Sequence, residues 1–173
     1  MPSSPSQKFY WDANVFLAYI SGEQQRLPDL EALLDEAEHG DTAIYTSELS
    51  VVEVAFAASE ASSAGLDPVV ENKIDALWVH PSPIHRVDFH ALIARDARHL
   101  MRISLATPGQ RVKPADAIHL ATAQRLGVDV LHTYEDQAAR NRWAQLTGLP
   151  VEEPRATQPK LTPQNPSAQP PLS

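Results

Sequence analysis

The stretch "KPADAIHLATAQRLGVDVLHTYED", residues 113–136, decides how the chain is read. Pro114 falls in what would be the first turn of a helix, where a missing N–H costs nothing. Apolar residues follow at helical spacing, and Gly127 supplies a stop. "VDVLHT" then reads as a strand, closed by the acids Glu135 and Asp136. A helix delivering the chain into a strand is one unit of an α/β layer structure, if the rest of the sequence repeats it.

The repetition is visible on both sides. "KFYW" is a short aromatic strand and "VFLAYI" starts a helix. "LPDLEALLDEAEHG" has Pro28 near a first turn, Leu30, Leu33, Leu34 and Ala37 at helical spacing, and Gly40 as a stop. "TAIYT" is a strand, and a single helix is predicted through "SVVEVAFAASEAS". A helix over 68–77 and an extended piece over 84–87 come next. "DFHALIARDARHLMRIS" reads as a long helix with Asp88 as its N-cap. Beyond the opening stretch, "EDQAARNRWAQLTG" is a last helix and "LPVEE" a short edge. The alternation predicts an α/β layer fold with a mainly parallel sheet.

At 173 residues the chain is long enough for one domain with a real core and a tail. The last twenty residues, "PRATQPKLTPQNPSAQPPLS", are rich in Pro, Gln, Ser and Thr and cannot bury enough surface to offset their ordering entropy. The expected organisation is a flexible N-terminus over 1–7, a folded domain over 8–153 and a disordered tail over 154–173. A net charge of −8 argues against nucleic-acid binding by bulk charge, though not against a local basic stripe. The absence of cysteine excludes disulfides, thiolate metal sites and cysteine nucleophiles. Every apolar run is broken short of a membrane span, and "MPSSPSQK" is a poor secretory signal, so a cytoplasmic protein is expected.

In a parallel sheet with helical crossovers all strand C-termini share one edge, where ligands bind. Asp12 ends the first strand, and Glu53 lies in the first turns of the helix after "TAIYT". Asp116 opens the helix of the quoted stretch, and Glu135 with Asp136 follows its strand. Acids so gathered repel unless protonated or neutralised by cations. A hard, all-oxygen donor set favours Mg²⁺ or Mn²⁺, which keep waters and bind phosphates. Metal-assisted hydrolysis of a phosphodiester by water follows from that chemistry.

At these residues the chain resembles PIN-domain ribonucleases, specifically the VapC-type toxins of toxin–antitoxin pairs. The matching stretches are "YWDANVFLAYI", "YTSELSVVEVAFA", "KPADAIHLATAQRLGVDVLHTYED" and "GLPVEEP", in the family's order. The resemblance implies a three-layer α/β/α sandwich and Mg²⁺- or Mn²⁺-dependent endonucleolytic cleavage of RNA. It also implies a cognate antitoxin and a homodimer. By resemblance Asp12, Glu53 and Asp116 are the principal acids and metal ligands, and Asn14, Thr133 and Ser47 or Thr46 give polar support. The family's fourth acid is usually an Asp two residues after the strand-end Thr; here that place is Glu135, with Asp136 beside it.

Each residue also has a plainer reading. Asp12 and Asp116 could serve as a helix cap and a dipole partner. Ser50 to Glu53 fits a capping box, although with the resemblance Ser47 is the better cap. His119, three residues after Asp116, reads as a buried histidine satisfied by a hydrogen bond, with a supporting or ligand role beside it. Arg102 belongs to a stripe with Arg95, Arg98 and His99, which reads first as a solvated face. Arg111 and Lys113 are better placed to meet RNA phosphates, and Arg140 and Arg142 are further candidates. The three tryptophans read as packing residues. Two other functions compete. A Mg²⁺ phosphatase or phosphotransferase would normally show an Asp where Asn14 stands. An inactive PIN-like binding module would keep the acids without using them.

Overall fold

The computed structural model describes residues 7–156. Its centre is a five-stranded sheet, wholly parallel, in the order β3-β2-β1-β4-β5. The strands are β1 (Gln7–Trp11), β2 (Thr42–Ser47), β3 (Ile84–Val87), β4 (Val130–His132) and β5 (Val151–Glu152). Helix α1 (Ala13–Ile20) leaves β1 directly, and α2 (Leu27–Glu38) leads into β2. Between β2 and β3 come α3 (Leu49–Glu53), α4 (Ala58–Ser63) and α5 (Pro68–Trp78). The crossover from β3 to β4 is the hairpin of α6 (Ala91–Ala106) and α7 (Pro114–Leu126), and α8 (Gln137–Thr147) joins β4 to β5.

Period-two alternation in β1 sorts its side chains between two cores. Phe9 and Trp11 point into one with Val15, Phe16, Leu30, Leu33, Ile44 and Leu77. Tyr10 points into the other with Ile93, Leu100, Leu120, Leu131 and Trp143. Apolar layers on both faces are what buried parallel sheets require. The α/β/α expectation therefore holds, and Trp11 and Trp143 are fully packed, with Trp78 against Phe16.

Two local expectations need correction. The predicted helix through residues 50–62 is two helices, because Val54 leaves helical geometry (φ −91°, ψ 54°). Val54 and Ala57 are both buried in the first core, and Glu60 turns back to accept the Ala57 N–H, starting a new helix. The long helix is capped by His90 rather than Asp88: its Nδ1 accepts the Leu92 N–H, and the chain is still extended before Ala91. Of the expected N-terminal segment and tail, all but Gln7 and residues 154–156 lie outside the described residues.

Candidate active site

The chain order runs from β1 outward to β3 on one side, then returns to β4 and β5 on the other. Adjacent parallel strands β1 and β4 thus part company at their C-termini, the crevice where doubly wound sheets bind ligands. Asp12 stands at that place. Its N–H continues the ladder to the His132 carbonyl, and its side chain is 4% exposed. Asp12 Oδ1 is buried with no hydrogen-bond partner among the described residues. Burial lifts this carboxyl from 3.8 to about 7, opposed by a Thr133 hydrogen bond and nearby His119 and reinforced by Glu135.

Asn14, two residues on, holds the facing loop. Its amide oxygen accepts the Tyr134 N–H at 2.9 Å, and its Nδ2 donates to Thr133 Oγ1 at 3.0 Å and more weakly to Glu135 Oε1 at 3.5 Å. Thr133 Oγ1 also accepts the Glu135 N–H at 3.1 Å. Arg140 supports the same loop, donating to the Glu135 carbonyl and, at 2.8 Å, to Glu153. The two neighbouring acids have different employments. Asp136 caps α8 by accepting the Ala139 N–H at 2.7 Å, whereas Glu135 faces Asp12 and Asp116 closely enough to raise both their pKa values.

Asp116 is half-buried in the first turn of α7, its pKa raised by burial and Glu135 and lowered by His119 and Lys113. Glu53 ends α3 and meets His119 Nε2 at 2.7 Å. The capping-box reading of Ser50 and Glu53 is not realised, since the carboxylate turns to His119 and Ser50 lies inside α3. Ser47 Oγ accepts the Leu49 N–H at the start of α3. Thr46 is fully buried, donating to the Trp11 carbonyl at 2.8 Å and so fixing the end of β1 beside Asp12.

Asp12, Glu53, Asp116 and Glu135 thus surround His119 or one another at the sheet edge. Among the described residues no three acidic or histidine side chains stand preassembled to hold an ion. The donor set still suits Mg²⁺ or Mn²⁺, which take one or two carboxylates and complete their shell with water and phosphate. The unpartnered oxygen of Asp12 is a buried acceptor of the kind such an ion would satisfy.

The model of the PIN domain matches residues 9–144, a span that includes Asp12, Glu53, Asp116 and Glu135. The chain belongs to the PIN domain family. No curated protein matches the sequence. Among solved structures, VapBC2 from Rickettsia felis, bound to a DNA fragment from its promoter, aligns with a TM-score of 0.61 at 16% identity, covering 84% of this chain and 98% of that one. FitAcB from Neisseria gonorrhoeae gives 0.57 at 18%, covering 84% and 97%. VapC20 from Mycobacterium tuberculosis, a sarcin-ricin loop cleaving toxin, gives 0.52 at 12%, covering 75% and 91%. These likenesses establish the PIN fold.

Of the candidate phosphate contacts of this PIN domain, Lys113 is exposed at the N-cap of α7 and acts on Asp116, Arg111 is exposed in the loop before it, and Arg102 is exposed on α6. Arg140 is largely buried by its hydrogen bonds to the Glu135 loop, which removes it from the candidate phosphate contacts. Two buried polar residues escaped the sequence reading. Tyr10 looks like any strand aromatic, yet its hydroxyl bonds His119. His132 accepts from Trp11 Nε1 at 3.1 Å and stacks on Phe9, and burial depresses its pKa to about 4. Period-two alternation through "VLHT" was the available signal that His132 points inward.

Proposed function

We propose that this PIN domain is a divalent-metal-dependent endoribonuclease and the toxin of a toxin–antitoxin pair. The observation that carries the reading is Asp12: a nearly neutral, buried carboxyl with an unsatisfied oxygen, at the sheet's switch point, facing Glu135 and close to His119. Burying an acid there costs stability, and an ion that draws off its proton offsets the cost.

Asp12, Asp116 and Glu53 are the side chains that would hold Mg²⁺ or Mn²⁺. When bound, such an ion supplies positive charge to a phosphodiester and lowers the pKa of water. The chain's own groups do the rest. Asp12 gives up the proton it carries near neutral pH. Asn14 and Thr133 fix the backbone that presents Glu135. Lys113, Arg111 and Arg102 offer cations to the RNA backbone on a protein whose net charge is −8. In the phosphatase reading Asn14 stands in an acid's place. Here its amide is committed to Thr133 and Tyr134, which supports the nuclease reading instead.

An antitoxin partner, a homodimer and a cytoplasmic location complete the proposal. The solved relatives VapBC2 and FitAcB support the first. For the last, no helix among the described residues is long and apolar enough to cross a membrane. The decisive assay is RNA cleavage by the purified chain in Mn²⁺ or Mg²⁺. Cleavage is expected to fall at least 100-fold in Asp116→Asn and to vanish with chelator. Activity that persists under both conditions rejects the metal-dependent mechanism.

A further inference from the structure

Directly behind the acids lie two buried side chains outside the proposed ligand set. His119 sits one turn after Asp116 on α7, 3% exposed, and Tyr10 is fully buried in β1. Both ring nitrogens of His119 are engaged: Nδ1 with the Tyr10 hydroxyl at 2.7 Å and Nε2 with Glu53 Oε2 at 2.7 Å. A third contact sets the direction of these bonds. The Ser47 N–H donates to the Tyr10 oxygen at 3.0 Å. A phenol carries its proton at neutral pH, and with its oxygen accepting from Ser47 its O–H is the donor that faces Nδ1. An imidazole accepting at Nδ1 carries its proton at Nε2, and that N–H points at Glu53.

Glu53 needs such a partner. It is the last residue of a five-residue helix, and Val54 beyond it has already left helical geometry. Its side chain is 29% exposed, and its neighbour Val52 is 74% exposed. Among the described residues, His119 is the one hydrogen-bond partner of the Glu53 carboxylate. We infer that Tyr10 and His119 act as a positioning pair: Ser47 and Tyr10 fix the tautomer of His119, whose Nε2–H then holds the Glu53 carboxylate at the metal-facing edge. This rests on the reading of Glu53 as a ligand. Partners that hydrogen-bond a ligating group from behind usually matter 10–100-fold in affinity or activity.

A histidine present only to satisfy the Tyr10 hydroxyl makes a different forecast, and two amide variants separate the two. His119→Asn places its amide near Nδ1, keeping the Tyr10 contact and losing Glu53. His119→Gln reaches the position of Nε2 and keeps a donor for Glu53. Mn²⁺ affinity is measured by titration calorimetry on the folded full-length chain, with wild type and Glu53→Gln as references and circular dichroism as the folding control. Positioning predicts a loss of about tenfold or more in His119→Asn, recovery to within about threefold in His119→Gln, and an intermediate loss in Tyr10→Phe. Nitrogen-15 shifts of the metal-free wild type should show the Nε2–H tautomer, and Tyr10→Phe should mix the two. Equal affinities in the two amide variants, or an Nδ1–H tautomer in wild type, overturn the inference while leaving the nuclease reading intact. A wild type that binds no Mn²⁺, or a Glu53→Gln that binds it equally well, removes the ligand role of Glu53 and the inference with it.

Discussion

Asp12 shows what a single residue gives up for a site. Its carboxyl sits near 7 in the fold against 3.8 ordinarily, so the folded chain binds this proton more tightly than the unfolded one. The stabilisation this provides is complete below pH 4 and is lost as pH rises through 7. Above that, the fold carries a buried charge with one oxygen unpartnered. Asp12→Asn removes the charge and nearly preserves the shape. In metal-free buffer the variant should melt higher than wild type at pH 8 and about equally at pH 4, with a difference capped on the order of 4 kcal/mol. Thermal melts across that pH range check it, and a gain that is flat with pH rejects the assignment. Asp12 was legible in the sequence because a carboxylate between "KFYW" and "VFLAYI" breaks an apolar run. Tyr10 was not, because a buried hydroxyl that orients a neighbour leaves no trace in a strand that wants aromatics anyway.

At the scale of the element, punctuation decides what can be read. α7 was legible at both ends because Pro114 opens it and Gly127 closes it in left-handed geometry (φ 60°). The break between α3 and α4 was not. Ser50, Val54 and Ala57 are all buried at spacings of four and three, which is the signature of one helix face. Tertiary packing bends the chain there without a Gly or Pro to announce it. The fourth acid was ambiguous for a similar reason, since capping and site roles both suit an acid after a strand. The hydrogen bond from the Ala139 N–H employs Asp136, whereas the exposed Glu135 is contacted by Asn14 and is felt by Asp12 and Asp116. Asn14→Ala strips four hydrogen-bond contacts from that loop. It should cost about 1–3 kcal/mol in urea unfolding and lower RNA cleavage beyond what its stability loss explains. Wild-type cleavage in the folded variant would remove Asn14 from the site's support.

Over the whole molecule, acids delivered from β1, α3, α7 and the loop after β4 meet only when the sheet is assembled, so the site and the fold stand or fall together. The strand order that brings them there was not written in the sequence, although the parallel alternation that permits it was. Ion binding should therefore stabilise the domain as a unit. Mn²⁺ at about 100 times its dissociation constant is expected to add roughly 3 kcal/mol to unfolding. The rise in melting temperature should be larger at pH 8 than at pH 5.5 and absent in Asp12→Asn. A rise shared by the variant would place the ion elsewhere. The outer strands have a consequence of another kind. β3 is four residues long with His85 and Arg86 exposed, and β5 is two residues long, its Glu152 followed by Glu153 and the buried Pro154. An incoming strand from another molecule would find few backbone groups to pair with, charges beside them, and at Pro154 no N–H at all. Among the described residues, both outer strands of the parallel sheet are in this way poor templates for edge-to-edge growth.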